Sequence, residues 1–230
     1  MKKSLVILGI LLSASVLLAQ VEVKDPKARE ILDDLSKETK SYKTIYAEFS
    51  FTMENQQEDI TESYDGKVKI KGDKYQLSLM GTETYCDGTT IWTHMVESEE
   101  VNISNRDPED KSFLNNPRGL FTMYEEGFKY AYKGSHEVEK ETYAHIELYP
   151  EEVDHGLEPG EEETSDLSKI RMMVNTRLMQ IYTFTYFTKD GNVYTIEMKN
   201  LKPDMKMADS DFHFDTTKHP NVEVVDLREE

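Results

Sequence analysis

The chain has 230 residues, enough for one ordinary domain with a sizeable core, and too few for a multidomain assembly. Lys and Arg number 27 against 45 Asp and Glu, a formal charge of -18, so the surface repels phosphate backbones and the chain is not expected to bind nucleic acid. With 37% hydrophobic residues, 9 Phe, 13 Tyr and 1 Trp, it has enough buriable surface to oppose chain entropy, which excludes global disorder.

Residues 1–19 read as a cleavable export signal: Met1-Lys2-Lys3 is basic, Leu5 to Leu18 is apolar, and Ala19 is a small residue at the cut. Residues 20–230 then form a single exported, soluble domain. Cys86, the 1 cysteine of the chain, has no partner for an intramolecular disulfide and reads as a small buried hydrophobe.

The domain opens on an amphipathic helix. Asp25 caps it, Pro26 fits its first turn, and Ala28, Ile31, Leu32, Leu35 and Tyr42 recur at three- and four-residue spacing. From Tyr46 the period changes to two, with Phe49, Phe51 and Met53 alternating with polar residues. A second strand puts Tyr64, Gly66, Val68 and Ile70 on one face and a lysine row on the other, and Gly72-Asp73 turns it into Tyr75, Leu77 and Leu79. Thr90 to Met95 is a further strand. Asn116, Pro117 and Gly127 then predict a second, short helical element carrying Leu120 and Phe121. Strands resume at 128–132 and 145–149; the Glu-rich stretch 150–166 reads as a solvated loop; 170–174, 180–188 and 192–201 are strands, the last two joined at Lys189-Asp190-Gly191. The tail, with Phe212-His213-Phe214 and 222–227, is expected to return to the sheet.

About nine or ten strands with this alternation predict a mainly β fold with helices (α+β), a strongly curved antiparallel sheet forming a half-open barrel. The predicted inward residues are Phe49, Phe51, Met53, Leu77, Leu79, Trp92, Met172, Phe184, Ile196 and Met198, and the covering residues are Ile31, Leu32, Leu35, Leu120 and Phe121. The inward side chains can either pack on one another or wall a lipid-binding cavity; the pattern leaves both open. Chemistry is scarce. Histidines 94, 136, 145, 155, 213 and 219 include no HExxH spacing, and no GxSxG or strand-borne GxGxxG is present. The cluster Asp209, Asp211, His213 and Asp215 reads as the solvent side of a strand-like segment. No catalytic residue, cofactor or metal is assigned.

The order of pieces is itself distinctive: an export signal, an amphipathic helix, Ala47-Glu48-Phe49-Ser50-Phe51, Gly66-Lys67-Val68-Lys69-Ile70-Lys71, Asp87-Gly88-Thr89-Thr90-Ile91-Trp92, Leu120-Phe121, Asp190-Gly191 and Phe212-His213-Phe214. It resembles the LolA family, periplasmic carriers of outer-membrane lipoproteins. The resemblance implies an incomplete antiparallel barrel with helices as a lid over a hydrophobic cavity. It also implies a monomer whose partners are acylated lipoproteins, an inner-membrane lipoprotein-releasing transporter and an outer-membrane acceptor. Many family members carry a lid-holding arginine after the second strand; here Gly72 or Asp73 stands near that place, with Lys71 and Lys74 as the nearby cations. A sensing or binding module of the same half-barrel, without delivery, is the alternative.

Overall fold

A computed structural model describes residues 25–228 except 56, 109, 111, 112, 114, 126, 139 and 152–165. The export signal and most of the acidic loop lie outside the described residues. Helix α1 (Pro26–Ser41) is followed by strands β1 (Ile45–Asn55), β2 (Ile60–Lys71), β3 (Lys74–Leu79), β4 (Thr82–Cys86), β5 (Thr90–Met95) and β6 (Glu100–Asn105). After two 3-10 turns, Pro117–Phe121 and Met123–Glu125, come β7 (Phe128–Val138), β8 (Glu141–Pro150), β9 (Leu167–Asn175), β10 (Gln180–Thr188) and β11 (Asn192–Pro203). The tail adds 3-10 turns at Asp209–Phe212 and Thr216–Lys218 and a last strand, β12 (Glu223–Asp226).

All twelve strands form one sheet in the order β12-β6-β5-β4-β3-β2-β1-β11-β10-β9-β8-β7. It is two antiparallel meanders fused where β1 pairs with β11, and it does not close: β12 and β7 are its edges. The tail does return, but as a strand parallel to β6. Sequence reading therefore undercounts the strands, because β4 and β6 carry few apolar side chains, Val101 and Ile103 being the two in β6. The second helical element also differs. Asn116 caps it as expected, accepting from the Gly119 backbone N–H at 3.2 Å, but the turns are 3-10 and not α. Gly119 lies inside the first of these turns, where an α-helix would lose backbone entropy.

The inner face is continuous and apolar. Ile45, Ala47, Phe49, Val68, Ile70, Tyr75, Leu77 and Leu79 from one meander meet Ile146, Leu148, Ile170, Met172, Val174, Phe184, Ile196 and Met198 from the other in a single buried cluster. Register lets this happen at Gly66, which pairs with Phe49 and lies under its ring; a Cβ there would stand 2.4 Å from Phe49 Cζ. Phe49 in turn makes an edge contact with Phe113, with ring centroids 5.7 Å apart.

Gly66→Ala is expected to push the Phe49 ring off its site and destabilise the fold by about 1–3 kcal/mol. Urea unfolding checks it: the midpoint should fall at unchanged m, and an unshifted midpoint would show that the ring has room to move.

Candidate functional site

The site is the covered inner face. Helix α1 lies over the β7–β10 half. Asp25 fixes its start, accepting from Lys27 N, Ala28 N and, across to the sheet, Tyr132 N at 3.0 Å. Burial pushes the Asp25 carboxyl up, yet those three N–H donors outweigh it and leave the group below its usual range. The helix ends at Tyr42, whose hydroxyl accepts from Gln180 Nε2 at 3.3 Å, and β1 begins three residues later. Its buried stripe, Ala28, Ile31, Leu32 and Leu35, is the one the spacing predicts.

The segment with the 3-10 turns comes against the other half. Leu120, Phe121 and Tyr124 are buried in the same cluster as the helix stripe and the sheet residues. Arg118 Nη1 donates to the Gly72 carbonyl at 3.0 Å, tying this segment to the β2–β3 turn, where Gly72 has a φ of 60°. The segment is also tied to α1: Glu125 accepts from the Ser36 hydroxyl at 2.6 Å and from Lys40 Nζ at 2.7 Å. Burial pushes the Glu125 carboxyl up, but Lys40 and Ser36 outweigh it and hold it below the usual range. The lowered value means that the bridge contributes above the ordinary carboxylate pKa and is lost only as pH falls through the folded one. Both partners are partly solvated, so this pair contributes of the order of 1 kcal/mol or less.

The structure places the sequence-predicted residues as follows. Phe49, Leu77, Leu79, Met172, Phe184, Ile196 and Met198 are buried in the main cluster with all five expected covering residues, Ile31, Leu32, Leu35, Leu120 and Phe121. Phe51 is half-buried against that cluster and stacks on Tyr194. Met53 is on the same face, half-buried opposite Tyr194. Trp92 is not on this face. It pairs with Tyr85 and Ile103 on the outer side and is buried with Val101, Ile103 and Phe214, its ring 4.4 Å from that of His213. The tail covers the outer face there, so both sides of β5 are buried and its alternation does not say which one is inner. Lys71 and Lys74 face outward, where they grip Asp209 of the tail at 2.8 and 3.2 Å. The ties that hold the cover, Arg118 and Glu125, are ones that sequence reading misses.

Of the two arrangements open to the inward side chains, the structure shows them packed on one another and on the covering residues in one buried cluster. Where α1, the β1 start, the β2 end and Phe121 converge, free volume is only 10 Å³. Burial pushes the Cys86 thiol up, the opposite of an activated nucleophile. Among the described residues no three His, Cys, Asp or Glu side chains are placed to hold a metal ion. No helix among them is long and apolar enough to cross a membrane.

No family model and no curated protein matches the chain. Solved structures do. An uncharacterized conserved protein from Thermus thermophilus is 11% identical, with 87% of this chain and 99% of that one covered at a TM-score of 0.54. LprF from Mycobacterium bovis is 17% identical over 81% of this chain and 98% of that one, TM-score 0.50. The matches include a LolA superfamily protein from Nitrosomonas europaea, 11% identical over 81% and 97%, TM-score 0.40. The fold is the one that the Thermus protein and LprF have. At these identities the likeness is one of fold alone.

The lone tryptophan reports on the tail, not on the inner face. Phe214→Ala should shift Trp92 emission to the red, while Phe121→Ala should leave it in place; a shift caused by the second variant and not the first would put Trp92 on the wrong side of the sheet.

Proposed function

We propose that this chain is a periplasmic carrier that shields the acyl chains of outer-membrane lipoproteins against the inner face of its half-barrel, receiving them from an inner-membrane transporter and passing them to an outer-membrane acceptor. The observation that carries this reading is the shared cluster: the large apolar face of the sheet is buried by side chains of two covering elements and not by a second sheet. An acyl chain is chemically equivalent to those side chains, so guest and cover compete for one surface.

Magnitudes favour exchange. Burying five side chains of the Leu, Ile and Phe kind is worth roughly 8–15 kcal/mol, and a guest chain of about fifteen methylenes about 12 kcal/mol. Bound to a preformed open cavity, one such chain would gain most of the ceiling for non-covalent affinity and two would exceed it, so unloading would be too slow for a carrier. Bound at the expense of a cover that closes again, it is released with a small net change. The lid role of the covering elements is part of this proposal. The acidic surface suits docking on basic protein partners in preference to unaided adsorption on anionic membranes.

The test is delivery. Purified protein mixed with a detergent-free diacylated lipoprotein should form a soluble complex and hand the lipoprotein to acceptor vesicles. A complex that never unloads would make the protein a lipid-binding sensor, lipoprotein returned deacylated would make it a hydrolase, and no complex would end the reading. Independently, Leu35→Ser or Phe121→Ser should raise binding of anilinonaphthalene sulfonate by the lipid-free protein. Equal binding by variant and parent contradicts competition between cover and guest.

A further inference from the structure

The outer face of the β7–β10 half carries a cluster of cations that plays no part in the carrier reading. Alternation places it there. Ile146, Leu148, Ile170 and Met172 are buried in the inner cluster, so Glu147, Lys169 and Arg171 beside them point the other way. At the centre is Glu147, whose side chain is 9% exposed. Its carboxylate accepts from Lys169 Nζ at 2.8 Å and from the Tyr149 hydroxyl, while Lys133 Nζ and Arg171 Nη2 each stand 3.8 Å from it.

A buried carboxylate needs partners, and one ammonium and one hydroxyl already bond to this one. The cluster holds more than that: three cations share one acid, a surplus of two positive charges, and among the described residues no other carboxylate is ion-paired with them. The cations are also fixed in place. Lys169 Nζ and the Arg171 guanidinium lie 5.1 and 5.0 Å from the centre of the Phe187 ring, and Lys133 Nζ lies 6.0 Å from that of Tyr149. His145, 3.8 Å from Glu147, feels the surplus: burial first, and then the Arg171 charge, hold its imidazole below the ordinary range. Lys133 and Arg171 keep 35% and 40% of their side chains in solvent, so both charges can be reached.

On a chain with a formal charge of -18 this cluster is a local reversal of sign. Its complement is negative and narrow. An anionic bilayer would bring the rest of the acidic surface against itself, whereas a protruding acidic segment meets the cluster alone. From β7 to β9 the cations span two strand spacings, about 10 Å, and residues on one side of an extended segment recur every ~7 Å. Two carboxylates of one segment therefore fit over the cluster together.

We propose that Lys133, Lys169 and Arg171, gathered around Glu147, form a docking site for an aspartate- or glutamate-rich segment of a partner protein. Lys133 and Arg171 take the partner's carboxylates, and Glu147, Phe187 and Tyr149 position the cations. The site lies on the face opposite the cover, so a partner held there leaves the inner face free, and the site stands whether or not the chain carries lipid.

A fluorescein-labelled hexaglutamate peptide should bind the parent protein at low salt, read by anisotropy, and be released as salt rises. Lys133→Gln/Arg171→Gln should weaken it about three- to twenty-fold, the effect of losing two partly solvated charge pairs. Should that variant not fold, Lys133→Gln alone, which breaks no ion pair shorter than 3.8 Å, should weaken it about two- to five-fold. Lys67→Gln/Lys69→Gln removes the same charge from the same side of the sheet, on β2, and should change the affinity less than about two-fold. Sedimented phosphatidylglycerol vesicles should leave the protein in solution. A parent protein that takes no hexaglutamate, an equal loss in the two double variants, or vesicles that bind through Lys133 and Arg171 where the peptide does not, overturns the site. The carrier reading is untouched by these outcomes and fails separately, in the delivery test.

Discussion

The constraint on which the structure depends is that an open sheet with one continuous apolar face must hide that face from water. A sandwich would do so with a second sheet. Here the sheet has two free edges, and its inner face is hidden by one helix and one largely irregular segment, each contributing a few large side chains. Such a cover is strong in hydrophobic area and weak in direction. Its polar ties include Asp25 to β7, Tyr42 to Gln180, Arg118 to Gly72, and Glu125 to Ser36 and Lys40. Hydrophobic burial does not distinguish a leucine from an acyl methylene, and the one ion pair among these ties, Lys40 to Glu125, is partly solvated and weak.

The two faces of the sheet are stabilised in different ways. The inner face is one cluster spanning both meanders, and the fusion of β1 with β11 makes it continuous. On the outer face, Glu147 is buried among Lys133, Lys169 and Arg171, while farther along the tail covers the β5–β6 end, packing Phe214 with Trp92, Val101 and Ile103 and pinned by Lys71 and Lys74 to Asp209. This second, smaller cluster also shields one edge: β12 pairs with β6 and leaves only a four-residue strand at the border.

Much of this is legible in the residues. The α1 stripe, the alternation of β1 to β3 and the β10–β11 hairpin rest on local periodicity, and local periodicity is what a sequence displays. The inward residues Phe49, Leu77 and Met172 follow from it directly. What is not legible has a non-local cause. Alternation puts Trp92 on the wrong face because Ile91 and Trp92 are adjacent and both buried, one under each layer, so period two has no polar side to calibrate it. Strands β4 and β6 are held by neighbours and not by their own composition. The β1–β11 junction and the Glu125 bridge join residues far apart in the chain, and no spacing rule announces them; a faint signal is Ser36 and Lys40 four residues apart beside the apolar stripe of α1.

The central claim, that the inner face is hidden by elements a guest can displace, is tested most directly by amide hydrogen exchange on the protein alone and on its complex with a dipalmitoylglyceryl-cysteine peptide. The account predicts that loading speeds exchange in the 117–125 segment while β1, β2, β9 and β11 stay as protected as before or become more so. A complex in which that segment is as protected as in the free protein would contradict it, because guest and cover would then not be competing for the same surface.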